Sequence, residues 1–224
     1  MSLNSILKKN KVFAVIPFFN ENETISEIIS RTIPYVDLII AVNDGSTDNS
    51  HLKIPNNKKI LLISYSPNHG KGFALKTGFI ESIKQNSDIT VTLDADLQHT
   101  PEQIPALISS LENCDIVIGN RLNSLKKMPV QRIISNKLTS LLLSFKTKQK
   151  LTDTQCGFRA YNTKILKDIL PSYNGFESES EILVKAARKN YKIGFVPIPT
   201  IYENEKSKMR SSQAILGFIK VILG

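Results

Sequence analysis

The sequence has too few cysteines for a disulfide framework and no apolar run long enough to cross a membrane. Its 224 residues include only Cys114 and Cys156, which do not form a CxxC pair, so a reducing cytoplasm is the expected environment. The apolar stretch 214–223 is interrupted by Gly217 and Lys220 and is shorter than the ~20 residues of a transmembrane helix. We therefore predict a cytoplasmic protein without a membrane-spanning segment.

Acidic residues are absent from two segments that are rich in lysine and arginine. The chain has 29 lysines and arginines against 20 acids, which gives a net charge of +9. Segment 119–152 carries eight of these cations and segment 206–224 carries four, so the rest of the chain, with 17 cations, has a net charge of −3. A basic surface confined in this way indicates an anionic partner, such as nucleic acid, an anionic membrane or a phosphorylated substrate; a solvated charged face is the alternative.

Apolar runs and helical spacing alternate along the chain. The apolar runs predict strands at 12–18, 37–42, 59–64, 89–93 and 115–118. The helical spacing predicts helices at 23–35, 71–85, 101–112, 130–145 and 178–190. Because the runs are apolar throughout, both faces of the sheet should be covered, which predicts an α/β fold with a mostly parallel, Rossmann-like sheet and helices on both faces. A late stretch, 192–202, contains two prolines and is typical of an edge strand or an irregular return.

The chain contains no internal repeat and no low-complexity linker, so we predict a single domain, 1–224. Polar residues follow the predicted strands at their carboxyl ends, in the stretches 17–21, 43–46, 94–99 and 119–121. In open parallel sheets this edge forms the ligand crevice, so the four stretches should converge on one pocket.

The stretch 94–99 combines two carboxylates with an amide and an imidazole. In an extended chain Asp94 and Asp96 point the same way, and two such anions would repel each other and raise the pKa of one. A divalent metal removes that repulsion, and the oxygen ligands of Asp94, Asp96 and Gln98 favour Mg²⁺ or Mn²⁺ over zinc. The alternative is that the acids cap the next helix, a position that Thr100 already occupies. His99 is either part of this site or a core side chain.

Two other turns are ambiguous by themselves. Residues 68–72 could bring backbone close to a phosphate at a helix N-terminus or form a plain turn, and the Asp-Gly pair at 44–45 is common in turns. The sequence shows no spacing of Ser, His, Asp or Cys that indicates a nucleophile, so covalent catalysis is not predicted.

Seven motifs together resemble a known family. They are IPFFNE (16–21), NDGSTD (43–48), GKGFALKTG (70–78), DADLQH (94–99), GNR (119–121), TQCGFRAY (154–161) and EKSKM (205–209). They resemble the inverting family 2 glycosyltransferases of GT-A fold, and among these the polyprenyl-phosphate (dolichol-phosphate) mannose synthases and their prokaryotic relatives. The resemblance extends from about residue 12 to residue 210, which implies a catalytic core there and a separate C-terminal amphipathic helix at 211–224.

The resemblance implies a role for each motif. The nucleotide pocket would be lined by Pro17, Phe19, Glu21, Val42 and Asp44. The ribose and diphosphate would meet Asp94, Ala95 and Asp96, with Asp96 and Gln98 as metal ligands and Asp94 close by. The acceptor phosphate would be held by Arg121 and Arg132, and Lys208 would close over the diphosphate.

Two positions depart from the family's pattern. Asn43 replaces the first residue of the usual Asp-Asp-Gly, and Tyr202 stands where the mannose synthases often have arginine, so Lys206 or Arg210 must substitute for it or the contact is absent. These departures leave the donor and the acceptor open.

The predicted reaction is inverting transfer of a hexose, mannose or glucose, from a GDP- or UDP-linked donor to a polyprenyl phosphate. The metal and Lys208 would stabilise the leaving diphosphate, and an ionised phosphate acceptor needs no general base. A hydroxyl acceptor on a glycan or small molecule would need one, for which Glu177, Glu179 and Glu181 are the candidates, unless they only complement a helix dipole. A nucleic-acid-binding module would leave DADLQ unexplained, so no nucleic-acid partner is predicted.

The acid-free segment also predicts a membrane-facing surface. Its apolar residues recur at helical spacing: Val130, Ile133, Ile134, Leu138, Leu141, Leu142 and Phe145. Interleaved with Arg132 and Lys137, they would let this helix rest on the anionic inner face of the membrane, with 214–223 as a second interfacial helix. Both apolar faces could equally be ordinary core or the seam of a homo-oligomer.

Overall fold

The computed structural model describes residues 10–121, 130–199 and 211–224. Within them, seven strands form one sheet in the order β3-β2-β1-β4-β6-β5-β7. They are β1 (Val12–Phe18), β2 (Leu38–Asp44), β3 (Ile60–Tyr65), β4 (Ile89–Thr92), β5 (Ile116–Asn120), β6 (Arg159–Asn162) and β7 (Ile193–Pro197). Strand β6 is antiparallel to both of its neighbours, and every other pair is parallel.

The helices of the described residues surround this sheet. They are α1 (Ile25–Thr32), α2 (Lys71–Lys84), α3 (Ile104–Ser110), α4 (Val130–Thr147), α5 (Leu166–Ile169), α6 (Ser178–Arg188) and α7 (Ser211–Leu223). Short 3-10 helices at Ile33–Tyr35 and Pro101–Gln103 adjoin α1 and α3. In this part of the chain, no helix has both the length and the apolar character that crossing a bilayer requires.

The sequence-based predictions of the α/β fold, the five strands and the five long helices are confirmed, with ends that differ by a few residues. The late extended stretch forms β7, an edge strand that pairs with β5. Strand β6 was not predicted, because it is only four residues long and begins with an arginine. Thr100 precedes Pro101 as predicted, but its side chain makes no capping hydrogen bond.

The core lies on both faces of the central strands. All seven residues of β1 are buried, and its side chains pack with those of β2 and β4. Helix α2 approaches β1 so closely that a Cβ atom at Gly78 would overlap the Val15 side chain. Each fully buried Val, Ile or Phe side chain contributes about 1.5–3 kcal/mol, so this packing fixes the strand ends that carry the polar motifs.

Candidate active site

Three of the four polar stretches meet at the carboxyl edge of the sheet. Phe18 at the end of β1 pairs with Asn43 of β2, and the Leu93 N–H, just beyond β4, donates to the Val15 carbonyl of β1 at 3.3 Å. The fourth stretch, at the end of β5, lies two strands further along, because β6 separates β4 from β5. The stretches after β1, β2 and β4 therefore lie side by side as predicted, whereas the stretch at the end of β5 is separated from them by β6. A common pocket for all four stays a prediction.

The loops after β1 and β2 are joined by hydrogen bonds from backbone to side chain. The Asn20 N–H donates to Ser46 Oγ at 3.0 Å, and the Thr47 N–H donates to Asn20 Oδ1 at 2.8 Å. Asn43 accepts the Ser46 N–H at 3.0 Å through Oδ1 and donates from Nδ2 to Ser64 Oγ at 3.4 Å. The Asn43 side chain therefore joins the loop after β2 to β3.

Asp44 fixes the loop that precedes α2. Its buried carboxylate accepts the N–H groups of His69 and Gly70 and the Asn68 Nδ2–H, each at 2.9 Å. Gly45 has a φ of +73°, and a Cβ atom there would lie 2.7 Å from the Asn68 nitrogen. Residues 68–72 are thus a loop anchored to β2. Contact between Asp44 and the nucleotide stays a prediction.

Lys71, the first residue of α2, forms a partly buried ion pair with the first aspartate of DADLQH. Its Nζ lies 2.7 Å from Asp94 Oδ1 and 3.3 Å from Glu179 Oε2, and His99 Nε2 lies 3.5 Å from Asp94 Oδ2. Burial by itself would raise the pKa of Asp94, but Lys71 and His99 outweigh it and hold that pKa well below its usual range. Burial would lower the pKa of Lys71, but Asp94 and Glu179 outweigh it and raise that pKa above its usual value.

This ion pair corrects the argument that repulsion between Asp94 and Asp96 requires a metal. Lys71 supplies the positive charge beside Asp94, so a metal on Oδ1 would have to compete with its ammonium group. Among the described residues, no group of three or more His, Cys, Asp or Glu side chains could hold a metal by itself. Asp96 and Gln98 share the turn after Asp94, where the Gln98 N–H donates to Asp96 Oδ1 at 3.1 Å. Both are partly exposed oxygen donors and fit the predicted ligand set.

The TQCGFRAY motif forms the wall behind Asp94. A Cβ atom at Gly157 would lie 2.6 Å from Asp94 Oδ2, so the carboxylate occupies space that only glycine leaves open. The fully buried Arg159 donates to the carbonyl oxygens of Thr154, Cys156 and Glu179 at 2.8–2.9 Å. Arg159 therefore ties this motif to the start of α6, which also carries the second carboxylate bound by Lys71.

Arg121, predicted to hold the acceptor phosphate, is paired with an aspartate. Its Nε and Nη2 lie 2.8 and 2.9 Å from the two carboxylate oxygens of Asp153, which is fully buried. The Arg121 N–H donates to the same group at 3.0 Å. The structure thus gives Arg121 a role in fixing the end of β5, and its contact with an acceptor stays a prediction. Lys208, Lys206, Arg210 and Tyr202 lie outside the described residues, and so does the side chain of Arg132.

The remaining predicted site residues lie at the carboxyl ends of β1, β2 and β4 or just beyond them. Pro17, Val42 and Ala95 are buried, whereas Phe19 is exposed just beyond β1. Glu21 Oε2 accepts the Thr24 hydroxyl at 3.1 Å. His99 is a buried side chain, as the core interpretation predicts, and it contacts Asp94; a part in ligand binding stays a prediction.

The three glutamates that were candidate bases all lie at the start of α6. Glu177 precedes the helix and Glu179 and Glu181 lie in its first turn, which confirms the helix-start interpretation. Glu181 accepts the N–H groups of Ser172 and Tyr173 and pairs with Lys185 at 2.8 Å.

Sequence reasoning missed Lys71, Asp153 and Arg159 as parts of the site. Lys71, Gly157 and Arg159 stand inside motifs that carried the family resemblance, but neither residue spacing nor the resemblance assigned them a role. Asp153 lies one residue before TQCGFRAY, and its pairing with Arg121 bridges 32 residues.

Comparison with known proteins identifies the family. The chain belongs to glycosyl transferase family 2, whose model matches residues 13–170, well over half of the sequence. The protein is thus a glycosyltransferase, as the motifs predicted. Its fold agrees with that of glucosyl-3-phosphoglycerate synthase from Mycobacterium tuberculosis in complex with Mn²⁺, UDP-glucose and phosphoglyceric acid, with a TM-score of 0.78 over 98% of this chain and 82% of that one at 21% identity. This likeness confirms the GT-A fold.

Relatives similar in sequence carry names that specify lipid phosphates. The UDP-N-acetylglucosamine--dolichyl-phosphate N-acetylglucosaminyltransferase of Methanococcus voltae is 31% identical over 92% of this chain and 92% of its own. The undecaprenyl-phosphate mannosyltransferase of Micrococcus luteus is 29% identical over 92% of this chain and 90% of its own. The undecaprenyl-phosphate 4-deoxy-4-formamido-L-arabinose transferase of Yersinia pestis is 34% identical over 76% of this chain, which spans about half of that protein (54%).

Proposed function

We propose that this glycosyltransferase moves a hexose from a GDP- or UDP-linked donor to a polyprenyl phosphate, with inversion and with Mg²⁺ or Mn²⁺. The observation that carries the proposal is the position of the DADLQH turn. It lies between the β1–β2 loops on one side and the end of β5 on the other, so that donor and acceptor can meet at one edge of the sheet. The names of the similar transferases support a lipid phosphate as the acceptor.

The donor side would bind the nucleotide through the loops after β1 and β2 and the diphosphate through the DADLQH turn. Asp96 and Gln98 would hold the divalent cation, which when bound stabilises negative charge on the leaving diphosphate. Asp94 is fixed beside them as an ionised carboxylate by Lys71. The Mn²⁺ and UDP complexes of the structural neighbour support this class of donor and metal.

The contacts of the candidate general bases favour a phosphate acceptor over a hydroxyl acceptor. A hydroxyl acceptor needs a general base, whereas a phosphate monoester is already ionised near neutral pH. Glu179 is bound to Lys71, and Glu181 accepts two backbone N–H groups and pairs with Lys185. Two of the three candidate bases therefore have structural tasks and Glu177 is the remaining one, which favours an acceptor that requires no base.

A membrane surface is the second part of the proposal. Eight of the 13 exposed large hydrophobic side chains among the described residues lie on α4 and α7. We call them the α4–α7 surface: Ile134, Leu138, Leu141, Leu142, Phe145, Leu216, Ile219 and Leu223. The two helices pack against each other, and Lys137 and Lys220 are exposed on them. We propose that this surface rests on the anionic cytoplasmic face of a membrane, where each lysine contributes ~1 kcal/mol.

A transfer assay tests the reaction. The protein is incubated with GDP- and UDP-linked hexoses, Mg²⁺ or Mn²⁺, and either a polyprenyl phosphate or the matching polyprenol. We expect a glycolipid product only with the phosphate and only with metal. Asp96→Ala should remove both the product and the metal-dependent rise in melting temperature that the donor causes, because a ligand that binds only the folded state stabilises it. Transfer to polyprenol, or undiminished turnover in excess chelator, would contradict the proposal.

A further inference from the structure

Phe176 is an exposed aromatic side chain close to the DADLQH turn. The centroid of its ring lies 5.8 Å from Lys71 Nζ, and the same ammonium group lies 2.7 Å from Asp94 Oδ1. The Phe176 side chain is 41% exposed, so much of the ring is open to solvent. An apolar ring thus lies at the surface of the candidate active site, near the first aspartate of the motif.

The loop that carries Phe176 is packed tightly against the start of α2. The Gly72 N–H donates to the Asn174 carbonyl at 2.6 Å. A Cβ atom at Gly70 would lie 2.5 Å from that same oxygen, and a Cβ atom at Gly72 would overlap the Tyr173 carbonyl oxygen. The two glycines of the GKG sequence therefore let this loop approach the helix that begins with Lys71.

The same loop is also fixed by α6. The Phe176 carbonyl accepts the Glu179 N–H at 3.4 Å. The Glu181 carboxylate accepts the N–H groups of Ser172 and Tyr173 at 2.8 and 3.0 Å. The backbone on both sides of Phe176 is thus bound to a helix, so the position of the ring is set by contacts within the protein.

The charged groups next to the ring carry a net negative charge. Lys71 contributes one positive charge, and its partners Asp94 and Glu179 contribute two negative charges. This excess would repel a phosphate group, so the diphosphate is better placed at Asp96 and Gln98, where a metal would offset its charge. The Asp94 side chain is 26% exposed, and its carboxylate can accept hydrogen bonds from hydroxyl groups.

An apolar ring near a partly exposed carboxylate suits a hexose. A hexose has faces that carry C–H groups, which pack on the negative face of an aromatic ring, and its hydroxyl groups donate to carboxylate oxygens. A lipid chain would remove water from the carboxylate without replacing its hydrogen bonds. Phe176 and Asp94 therefore offer the two kinds of contact that an uncharged sugar makes.

We propose that the transferred hexose of the donor packs on the Phe176 ring, with Asp94 accepting a hydrogen bond from a hydroxyl group of the same sugar; the identity of the donor rests on the proposed function. A nucleoside diphosphate has no hexose to place on the ring. The contribution of Phe176 is therefore confined to the sugar, and the residue determines specificity for the sugar and not for the base.

Binding of matched nucleotides tests the inference without an acceptor. The full chain with Mn²⁺ is titrated in a calorimeter with UDP and UDP-glucose, and with GDP and GDP-mannose. Phe176→Ala should weaken binding of the nucleotide sugar that the wild type prefers about tenfold, because the sugar loses its apolar contact. Binding of the matching nucleoside diphosphate should change less than about twofold. Phe176→Tyr keeps the ring and should bind both ligands as the wild type does.

Kinetics provide the second measurement. The KM for the donor should rise about tenfold in Phe176→Ala, while the KM for polyprenyl phosphate stays unchanged. Ile80→Ala is the control, because it shortens another exposed apolar side chain, on α2, and should change neither KM. Melting temperatures report whether each variant is folded.

Two results would overturn the inference. An equal loss of affinity for the nucleoside diphosphate would show that Phe176 only shields the ion pairs of Lys71, and a rise in the acceptor KM in place of the donor KM would assign the ring to the acceptor. If nucleotide sugars bind as expected but no sugar reaches polyprenyl phosphate, the proposed function fails while the role of Phe176 stands. If transfer occurs and Phe176→Ala keeps its donor KM, the role of Phe176 fails while the function stands.

Discussion

Two regions of the molecule differ in whether their charged and apolar side chains have partners within the protein. At the edge formed by β1, β2 and β4, the charged groups are satisfied within the protein: Asp44 by the loop before α2, and Asp94 by Lys71 and His99. On the α4–α7 surface, apolar side chains are exposed, and Lys137 and Lys220, the exposed lysines of the two helices, form no ion pair among the described residues. The first region is organised by contacts within the protein, whereas the second leaves apolar side chains exposed, which the proposed membrane surface would cover.

Lys71→Met should have the largest effect, because it leaves the partly buried Asp94 and the buried Glu179 without their cation. We expect the free energy of unfolding to fall by about 3–5 kcal/mol and the transfer rate by about a hundredfold, since small displacements of active-site groups have effects of that size. Denaturant unfolding and initial rates measure both. Lys84→Met, at the other end of α2, is the control: Lys84 is exposed where it pairs with Glu81, and such a pair contributes at most about 1 kcal/mol. If Lys71→Met and Lys84→Met lowered stability and transfer rate equally, the Lys71–Asp94 pair would have no special importance, and the contrast between the two regions would fail.

The pH dependence of the Lys71–Asp94 pair has a defined sign. The lowered pKa of Asp94 gives stability that is present above its unfolded pKa near ~4 and is lost as the pH falls toward the folded value. The raised pKa of Lys71 gives stability that is present below its unfolded pKa near ~10 and is lost as the pH rises through the folded value. The stability difference between wild type and Lys71→Met should therefore be constant between about pH 5 and 9 and shrink outside that window.

Gly157→Ala should have a smaller effect that is confined to the same region. The added methyl group would lie 2.6 Å from Asp94 Oδ2 and push the carboxylate away from Lys71, with a loss of stability of about 1–3 kcal/mol and of activity of at least about tenfold. Gly194→Ala is the matched control, because its methyl group would lie 2.6 Å from Cys114 Sγ, outside the site. It should destabilise similarly while activity per folded molecule is retained. Equal losses of activity would show that packing alone is responsible.

The smallest expected change in the isolated protein concerns the α4–α7 surface. Ile134→Ser with Leu138→Ser should leave the free energy of unfolding nearly unchanged, since both side chains are exposed. Partitioning onto anionic liposomes should drop about tenfold, because the variant loses apolar area that the membrane would cover. Leu52→Ser with Leu62→Ser alters two exposed leucines elsewhere and should have no effect on partitioning. If instead the first pair abolishes a concentration-dependent dimer, the surface is a seam between copies.

The sequence predicted the sheet and the edge where the site forms, because apolar runs and turn residues are local patterns. The family resemblance added the GT-A fold and the DADLQH turn. The pairing of Lys71 with Asp94 and Glu179 could not be predicted, since it joins residues separated by up to 108 positions. The bond between Arg121 and Asp153 was missed for the same reason, since 32 positions separate the two residues; contact of Arg121 with an acceptor stays a prediction.

Strand β6 illustrates the limit of pattern-based prediction in another way. Its four residues have the sequence RAYN, in which the first side chain is a fully buried arginine. No periodicity indicates a strand there. Its place is set by neighbours on both sides, β4 and β5, and by the three carbonyl groups that Arg159 binds.

The reversed direction of β6 has a geometric consequence for catalysis. Adjacent strands are about 4.8 Å apart, so one inserted strand places the end of β5 about 10 Å from the end of β4. Because β6 runs opposite to β4 and β5, its amino end lies beside their carboxyl ends, and its carboxyl end lies at the opposite edge of the sheet. The strand thus acts as a spacer that sets the distance between the DADLQH turn after β4 and residues 119–121 at the end of β5.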